Sequence, residues 1–62
     1  MNNDPRDKRF YQLQKKDRSQ LTHQEIREYL VYCDKMINYV NDKKGRNSWI
    51  TLKKELEIMC KK

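Results

Sequence analysis

The sequence predicts an all-α fold: a small three-helix domain with a long central helix (about 22–44) flanked by a basic N-terminal helix (about 5–18) and an antiparallel C-terminal helix (about 48–61). Apolar residues recur three and four positions apart, and a helix-start motif precedes the longest such run. The only proline and the only glycine lie near predicted helix ends. A chain of 62 residues has room for one domain with one thin core. We expect residues 1–4 to be disordered.

The first predicted helix begins at Asp4 and Pro5, because aspartate is a favourable N-cap and proline is tolerated at the first helical position. Its apolar face is small, since only Phe10 and Leu13 lie together on one side. Basic residues gather on the opposite side. We therefore expect this helix to depend on the rest of the domain, or on a ligand, for its stability.

The start of the central helix has the strongest local signals. Thr22 and Glu25 match a capping box, in which each side chain accepts a hydrogen bond from the backbone N–H of the other residue. Leu21 and Ile26 occupy the two positions of a hydrophobic staple. These signals together predict a helix that begins directly after Thr22.

The end of the central helix is predicted at Gly45, in the left-handed conformation that favours glycine. The third helix then begins after Asn47 or Ser48 as its N-cap. Its predicted core face consists of Trp49, Leu52, Leu56, Met59 and Cys60. The short loop makes the two helices antiparallel and brings Cys33 to the level of Met59 and Cys60. Packed helices lie about 8–10 Å apart, too far for most disulfides, so we expect free thiols.

The central helix carries two apolar stripes. The first consists of Ile26, Leu30, Cys33, Ile37 and Val40, and we expect it to pack against the third helix. The second, about 100° around the helix, is the tyrosine edge: Tyr29, Tyr32, Met36 and Tyr39. The tyrosine edge either completes the core with its hydroxyl groups in water or forms an interface for a partner protein or a second copy of the chain.

The net charge of +6 is concentrated at the two ends of the chain. The candidate phosphate-binding residues are Lys8, Arg9, Lys15, Lys16 and Arg18 on helix one, and Lys43, Lys44, Arg46, Asn47 and Ser48 in the predicted loop. This loop combines positive side chains with the free backbone N–H groups of a helix start, an arrangement suited to a phosphate. Trp49 lies beside the loop, but its spacing predicts a core residue.

Two functions are compatible with these surfaces. The first is a small basic nucleic-acid-binding accessory or regulatory protein, which contacts DNA or RNA phosphates through helix one and the loop 43–48. The alternative is a protein–protein interaction module that modulates a larger enzyme or assembly through the tyrosine edge. The lack of alanine and the abundance of Lys, Asn, Ile and Tyr favour a phage or mobile-element origin.

We expect no catalytic activity, no cofactor and no metal site. His23 is the only histidine, and ten helical residues separate it from Cys33, a distance of about 15 Å. A single glycine cannot form a glycine-rich phosphate loop. No targeting segment is evident, and no apolar run is long enough to span a membrane. We therefore expect a cytoplasmic protein without a membrane partner.

Overall fold

The computed structural model describes residues 4–61, and this part of the chain contains three α-helices and no strand. The helices are α1 (Lys8–Lys15), α2 (His23–Tyr39) and α3 (Lys43–Lys61), and a 3-10 turn (Arg18–Gln20) links α1 to α2. The predicted all-α, three-helix fold is therefore confirmed. Residues 1–3, part of the segment predicted to be disordered, lie outside the described residues, as does residue 62.

The start of α1 is later than predicted. The Asp7 carboxylate accepts a hydrogen bond from the Phe10 backbone N–H (3.1 Å), and Asp7 is therefore the N-cap. Asp4, the predicted cap, instead accepts hydrogen bonds from the backbone N–H (3.0 Å) and the guanidinium of Arg6. Of the two aspartates near this helix start, Asp7 is therefore the one that caps it.

The end of α1 is earlier than predicted. The helix ends at Lys15, and Lys16 takes an extended conformation. Asp17 then accepts a hydrogen bond from the Ser19 backbone N–H (3.2 Å) and caps the 3-10 turn. The chain therefore leaves the helix before Arg18, which we had placed at the helix end.

The start of α2 agrees with the prediction in detail. The Glu25 backbone N–H donates to Thr22 Oγ1 (3.2 Å), and the Thr22 N–H donates to Glu25 Oε1 (3.0 Å). Both hydrogen bonds of the capping box are therefore present. The two staple residues, Leu21 and Ile26, are buried in the same apolar cluster.

The connection between α2 and α3 lies earlier in the chain than predicted. Val40 ends α2 in an extended conformation, and α3 begins at Lys43. Asp42 caps α3, because its carboxylate accepts a hydrogen bond from the Gly45 N–H (3.2 Å) and its carbonyl accepts one from the Arg46 N–H (2.9 Å). The residues 43–48, predicted to be a basic loop, are therefore the first turns of a helix.

Two further predictions at this connection are wrong. Gly45 does not end a helix in a left-handed conformation, since no described residue has a positive φ. Neither Asn47 nor Ser48 is an N-cap, and the Ser48 hydroxyl donates instead to the Lys44 carbonyl one turn earlier (3.1 Å). Gly45 serves the close approach of the chain, because a Cβ at this position would lie 2.9 Å from Val40 Cγ1.

The earlier start of α3 changes its register against α2. Lys53 Nζ lies 2.5 Å from Asp34 Oδ1 across the two helices. Asp34 therefore lies opposite Lys53. The prediction had put its neighbour Cys33 level with Met59 and Cys60, which are farther from the connection. Both cysteines are free thiols, as predicted.

The core lies between the three helices and centres on Phe10 of α1. The Phe10 ring packs edge-on against Tyr29 (5.7 Å between centroids) and Tyr32 (5.6 Å) of α2, and it lies tilted against Trp49 of α3 (5.8 Å). The buried cluster consists of Phe10, Leu13, Leu21, Ile26, Tyr29, Cys33 and Leu56. Two apolar side chains of a short helix thus close the groove between two longer ones.

Candidate functional site

Ion pairs within residues 4–61 divide the basic side chains into two groups. The paired group consists of Arg6 with Asp4, Arg9 with Glu28, Lys16 with Glu25, Arg18 with Glu55, and Lys53 with Asp34. The group without an ion pair consists of Lys8, Lys15, Arg27, Lys35, Lys43, Lys44, Arg46, Lys54 and Lys61. Asp7, Asp17 and Asp42 cap the starts of helical segments. The fold thus uses most of its carboxylates internally and leaves cations at the surface.

One face of α1 is neutralised by α2. Arg9 Nη2 lies 2.6 Å from Glu28 Oε2, and Lys16 Nζ lies 2.9 Å from both carboxylate oxygens of Glu25. The hydrogen bond to Glu28 raises the pKa of Arg9. The pKa of Glu25 is lowered to about 2, first by the Thr22 N–H and then by Lys16. A phosphate at this face would have to displace a carboxylate.

The other face of α1 keeps its positive charge. Lys8, Tyr11 and Lys15 are three and four residues apart, so they share one side of the helix. All three are exposed, Tyr11 by 46%. Tyr11 was not predicted as a site residue, although its spacing with the two lysines is visible in the sequence. This face therefore combines two cations with an accessible aromatic ring.

The remaining predicted site residue near α1, Arg18, lies in the 3-10 turn and pairs with Glu55 of α3. Arg9, Lys16 and Arg18 are therefore all engaged by carboxylates of the fold. Among the predicted residues of helix one, only Lys8 and Lys15 are left without an ion pair in residues 4–61.

The predicted phosphate-binding loop is rearranged because it is helical. The Asp42 carboxylate accepts a hydrogen bond from the Gly45 N–H at the start of α3. The prediction had put a phosphate at the start of this helix. The Arg46 guanidinium donates to the Val40 carbonyl (3.3 Å). Asn47 and Ser48 are exposed but lie in the second turn, away from the free N–H groups of the helix start. The predicted phosphate site therefore retains Lys43 and Lys44, which are exposed in the first turn of α3.

Two residues of the tyrosine edge, Tyr29 and Tyr32, contact Phe10 of α1. Tyr29 and Met36 are buried, and burial raises the pKa of the Tyr29 phenol. The Tyr32 hydroxyl donates to Asp7 Oδ1 (2.7 Å), and this hydrogen bond raises its pKa. Tyr39 is 42% exposed. A partner interface over the four residues stays a prediction, but two of its side chains lie in the core.

A shallow open groove of about 190 Å³ lies beside α1 and is lined by Arg9, Glu28, Val31, Tyr32 and Lys35. Its polar groups contact one another, since Arg9 pairs with Glu28 and Lys35 Nζ lies 5.9 Å from the centroid of the Tyr32 ring. The groove therefore offers no unpaired charged group except the lysine.

Titratable and nucleophilic groups elsewhere are dispersed. His23 is exposed in the first turn of α2, and Cys33 is buried, with burial raising the pKa of its thiol to about 11. Among residues 4–61, no three His, Cys, Asp or Glu side chains are grouped as a metal site would require. No helix in this range is both long enough and apolar enough to cross a bilayer.

Comparison with known proteins finds no matching family model, no matching curated protein and no matching solved structure. Function is therefore inferred from the charges, exposures and contacts of the chain itself.

Proposed function

We propose that the protein binds nucleic acid through the phosphates, with Lys8 and Lys15 of α1 and Lys43 and Lys44 of α3 as the contacting residues. One observation supports this most directly: the basic residues of α1 and its C-cap, Lys16, lie on two sides, and the fold neutralises only the side of Arg9 and Lys16. On the other face, a phosphate meets two lysines with no carboxylate to displace.

The spacing of these lysines suits a polyanion. Lys8 and Lys15 are two helical turns apart, about 10 Å, which is the rise of about three nucleotides in one strand of a duplex. The Phe10 ring of α1 contacts the Trp49 ring of α3, the helix that carries Lys43 and Lys44 (5.8 Å between centroids). Binding of such lysines to phosphates releases counterions, and the net charge of +6 favours approach.

The protein-interaction alternative has less support. Its predicted surface was the tyrosine edge, and two of those four side chains, Tyr29 and Met36, are buried. The exposed remainder is small for a stable protein interface.

The test is the salt dependence of binding to a fluorescein-labelled oligonucleotide, measured by anisotropy. Replacing Lys8 and Lys15 together by Gln should weaken binding and reduce the slope of log K against log salt by about 1.5, since each phosphate contact contributes roughly 0.7–0.9. The control is Lys54→Gln with Lys61→Gln, which removes the same charge at the same spacing from the outward side of α3.

The two double variants separate a defined surface from a general charge effect. The Lys54 and Lys61 variant should keep a slope within about 0.5 of the wild-type value. Equal losses in both variants would contradict the assignment to α1. The absence of any complex with duplex or single-stranded DNA or RNA at low salt would overturn the proposal as a whole.

A further inference from the structure

The groove beside α1 has a cation towards each of its two ends. Its α2 side consists of Glu28, Val31, Tyr32 and Lys35, which are spaced three and four residues apart and therefore lie along one side of that helix. Arg9 of α1 lies at one end, where it pairs with Glu28. Lys35 lies two helical turns beyond Glu28, a distance of about 10 Å. Between the two ends the groove is lined by uncharged side chains.

The ion pair at the first end leaves part of the guanidinium's binding capacity unused. Arg9 Nε and Nη2 both donate to a single oxygen of Glu28, Oε2, at 3.2 and 2.6 Å. A phosphate would offer each of these two donors its own oxygen, which is the geometry in which arginine binds phosphate most strongly. Both side chains are also exposed to water, Arg9 by 44% and Glu28 by 37%, so breaking the pair costs little.

The neighbouring ion pair, between Lys16 and Glu25, is less suited to such an exchange. The Glu25 carboxylate also accepts a hydrogen bond from the Thr22 backbone N–H, and the side chain is only 14% exposed. Because the capping box holds Glu25 in place, its negative charge would stay beside any phosphate that bound Lys16. The hydrogen bonds of Glu28 are with Arg9, so its carboxylate can turn towards the solvent when a phosphate replaces it.

The other end of the groove has a cation that the fold does not neutralise. Lys35 has no ion pair in residues 4–61, and its Nζ lies 5.9 Å from the centroid of the Tyr32 ring. That ring is held in place, since its hydroxyl donates to Asp7 (2.7 Å) and its edge packs against Phe10. Lys35 thus lies on a fixed wall of the groove. The 10 Å between the two ends corresponds to about three nucleotides of one strand.

We propose that this groove binds the phosphate backbone of the nucleic acid, with one phosphate replacing Glu28 at Arg9 and another bound by Lys35. The inference rests on the proposed function, and it extends the contacts of Lys8 to the next residue of α1. Glu28 is then a built-in competitor of the phosphate, and its presence lowers the affinity of the groove.

A double substitution that keeps the net charge tests the exchange. Arg9→Gln with Glu28→Gln removes the ion pair and, with it, one phosphate contact, so the slope of log K against log salt should fall by about 0.7–0.9. The control, Lys53→Gln with Asp34→Asn, removes an ion pair outside the groove and should keep the wild-type slope. The probe is the labelled duplex DNA, single-stranded DNA or single-stranded RNA that the wild type binds most tightly. Circular dichroism first establishes that both variants are folded.

Single substitutions test the cation and the competitor separately. Lys35→Gln should lower the slope by about 0.7–0.9, whereas Lys54→Gln removes the same charge from α3 and should lower it by less than about half as much. Glu28→Gln and Glu57→Gln both raise the net charge by one. The Glu28 variant should bind the probe about 1.5- to 5-fold more tightly than the Glu57 variant, the range that corresponds to one exposed ion pair.

The outcomes distinguish this inference from the function on which it rests. If the charge-neutral groove variant keeps the wild-type slope while replacement of Lys8 and Lys15 lowers it, binding in the groove is wrong and the proposed function stands. If no strand binds at low salt, both are wrong. Equal slopes for Lys35→Gln and Lys54→Gln would likewise overturn the groove as a phosphate site.

Discussion

The α2–α3 hairpin and α1 are stabilised in different ways. The hairpin consists of helices of 17 and 19 residues that pack along their lengths, whereas α1 has 8 residues. An isolated helix shorter than about 12–15 residues is marginal in water, so α1 depends on its contacts with the hairpin. Its buried side chains are Phe10 and Leu13.

Polar contacts between α1 and α2 complete the attachment. The Tyr32 hydroxyl donates to Asp7, and Arg9 and Lys16 pair with glutamates of α2. Exposed ion pairs contribute little to stability, so these contacts mainly orient the helix. Apolar burial therefore keeps α1 on the hairpin, while the ion pairs determine which cations have a carboxylate partner.

The largest effect is expected from removing the apolar anchor of α1. Phe10→Ala should lower the free energy of unfolding by about 3–5 kcal/mol, because the ring is buried against both other helices. For a domain of this size that is a large part of the total stability. Urea denaturation followed by circular dichroism measures the loss.

The adjacent aromatic residue is the control for Phe10. Tyr11→Ala removes a ring of similar size from the exposed side of α1 and should cost about 1 kcal/mol or less, mainly its edge contact with Phe10 (5.3 Å). Similar losses in the two variants would mean that burial of Phe10 does not attach α1 to the hairpin.

A smaller effect is expected at the start of the hairpin. Thr22→Ala removes the acceptor for the Glu25 N–H and should cost about 1 kcal/mol. The matched variant Thr51→Ala lies at an exposed position within α3 and should be neutral or slightly stabilising, since alanine has the higher helix propensity. Urea denaturation of both variants checks the difference, and equal changes would contradict a specific role of the cap.

How far the fold follows from the sequence depends on how local its signals are. The start of α2 was predictable because Thr22 and Glu25 satisfy each other within one turn. The start of α3 was not, because a glycine after a long apolar run is typical of a helix end, whereas Asp42, the actual cap, lies inside the predicted central helix. Gly45 lies within α3, where a Cβ would be only 2.9 Å from Val40 Cγ1, so the close approach to Val40 favours glycine at this position.

The candidate site was predictable only in part for a similar reason. The sequence identifies the basic residues of helix one. However, Glu28 reaches Arg9, and Glu25 reaches Lys16, only when the helices have packed. Likewise, Tyr29 is buried because Phe10 from a distant segment packs on it. Helical spacing alone does not show which cations are neutralised or which tyrosines are covered, because both depend on how the helices pack.

The smallest effect is expected from the ion pair between Glu25 and Lys16, because the Lys16 side chain is exposed and water screens its charge. The folded pKa of Glu25, about 2, lies below its ordinary value of 4.5. Its contribution to stability is therefore complete above about pH 4.5 and is lost as the pH falls towards 2. Glu25→Gln keeps an acceptor for the Thr22 N–H without the charge. The difference in melting temperature between this variant and the wild type should therefore shrink as the pH falls from 4.5 towards 2.

The partner substitution separates the two causes of the lowered pKa. Lys16→Gln removes the cation but leaves the Thr22 N–H bonded to Glu25, which is the larger cause. This variant should therefore retain most of the acid sensitivity of the wild type. Thermal melts between pH 2 and pH 6 measure both variants. If Lys16→Gln removed the acid sensitivity entirely, the link between α1 and α2 would control the titration of Glu25, and the cap would be secondary.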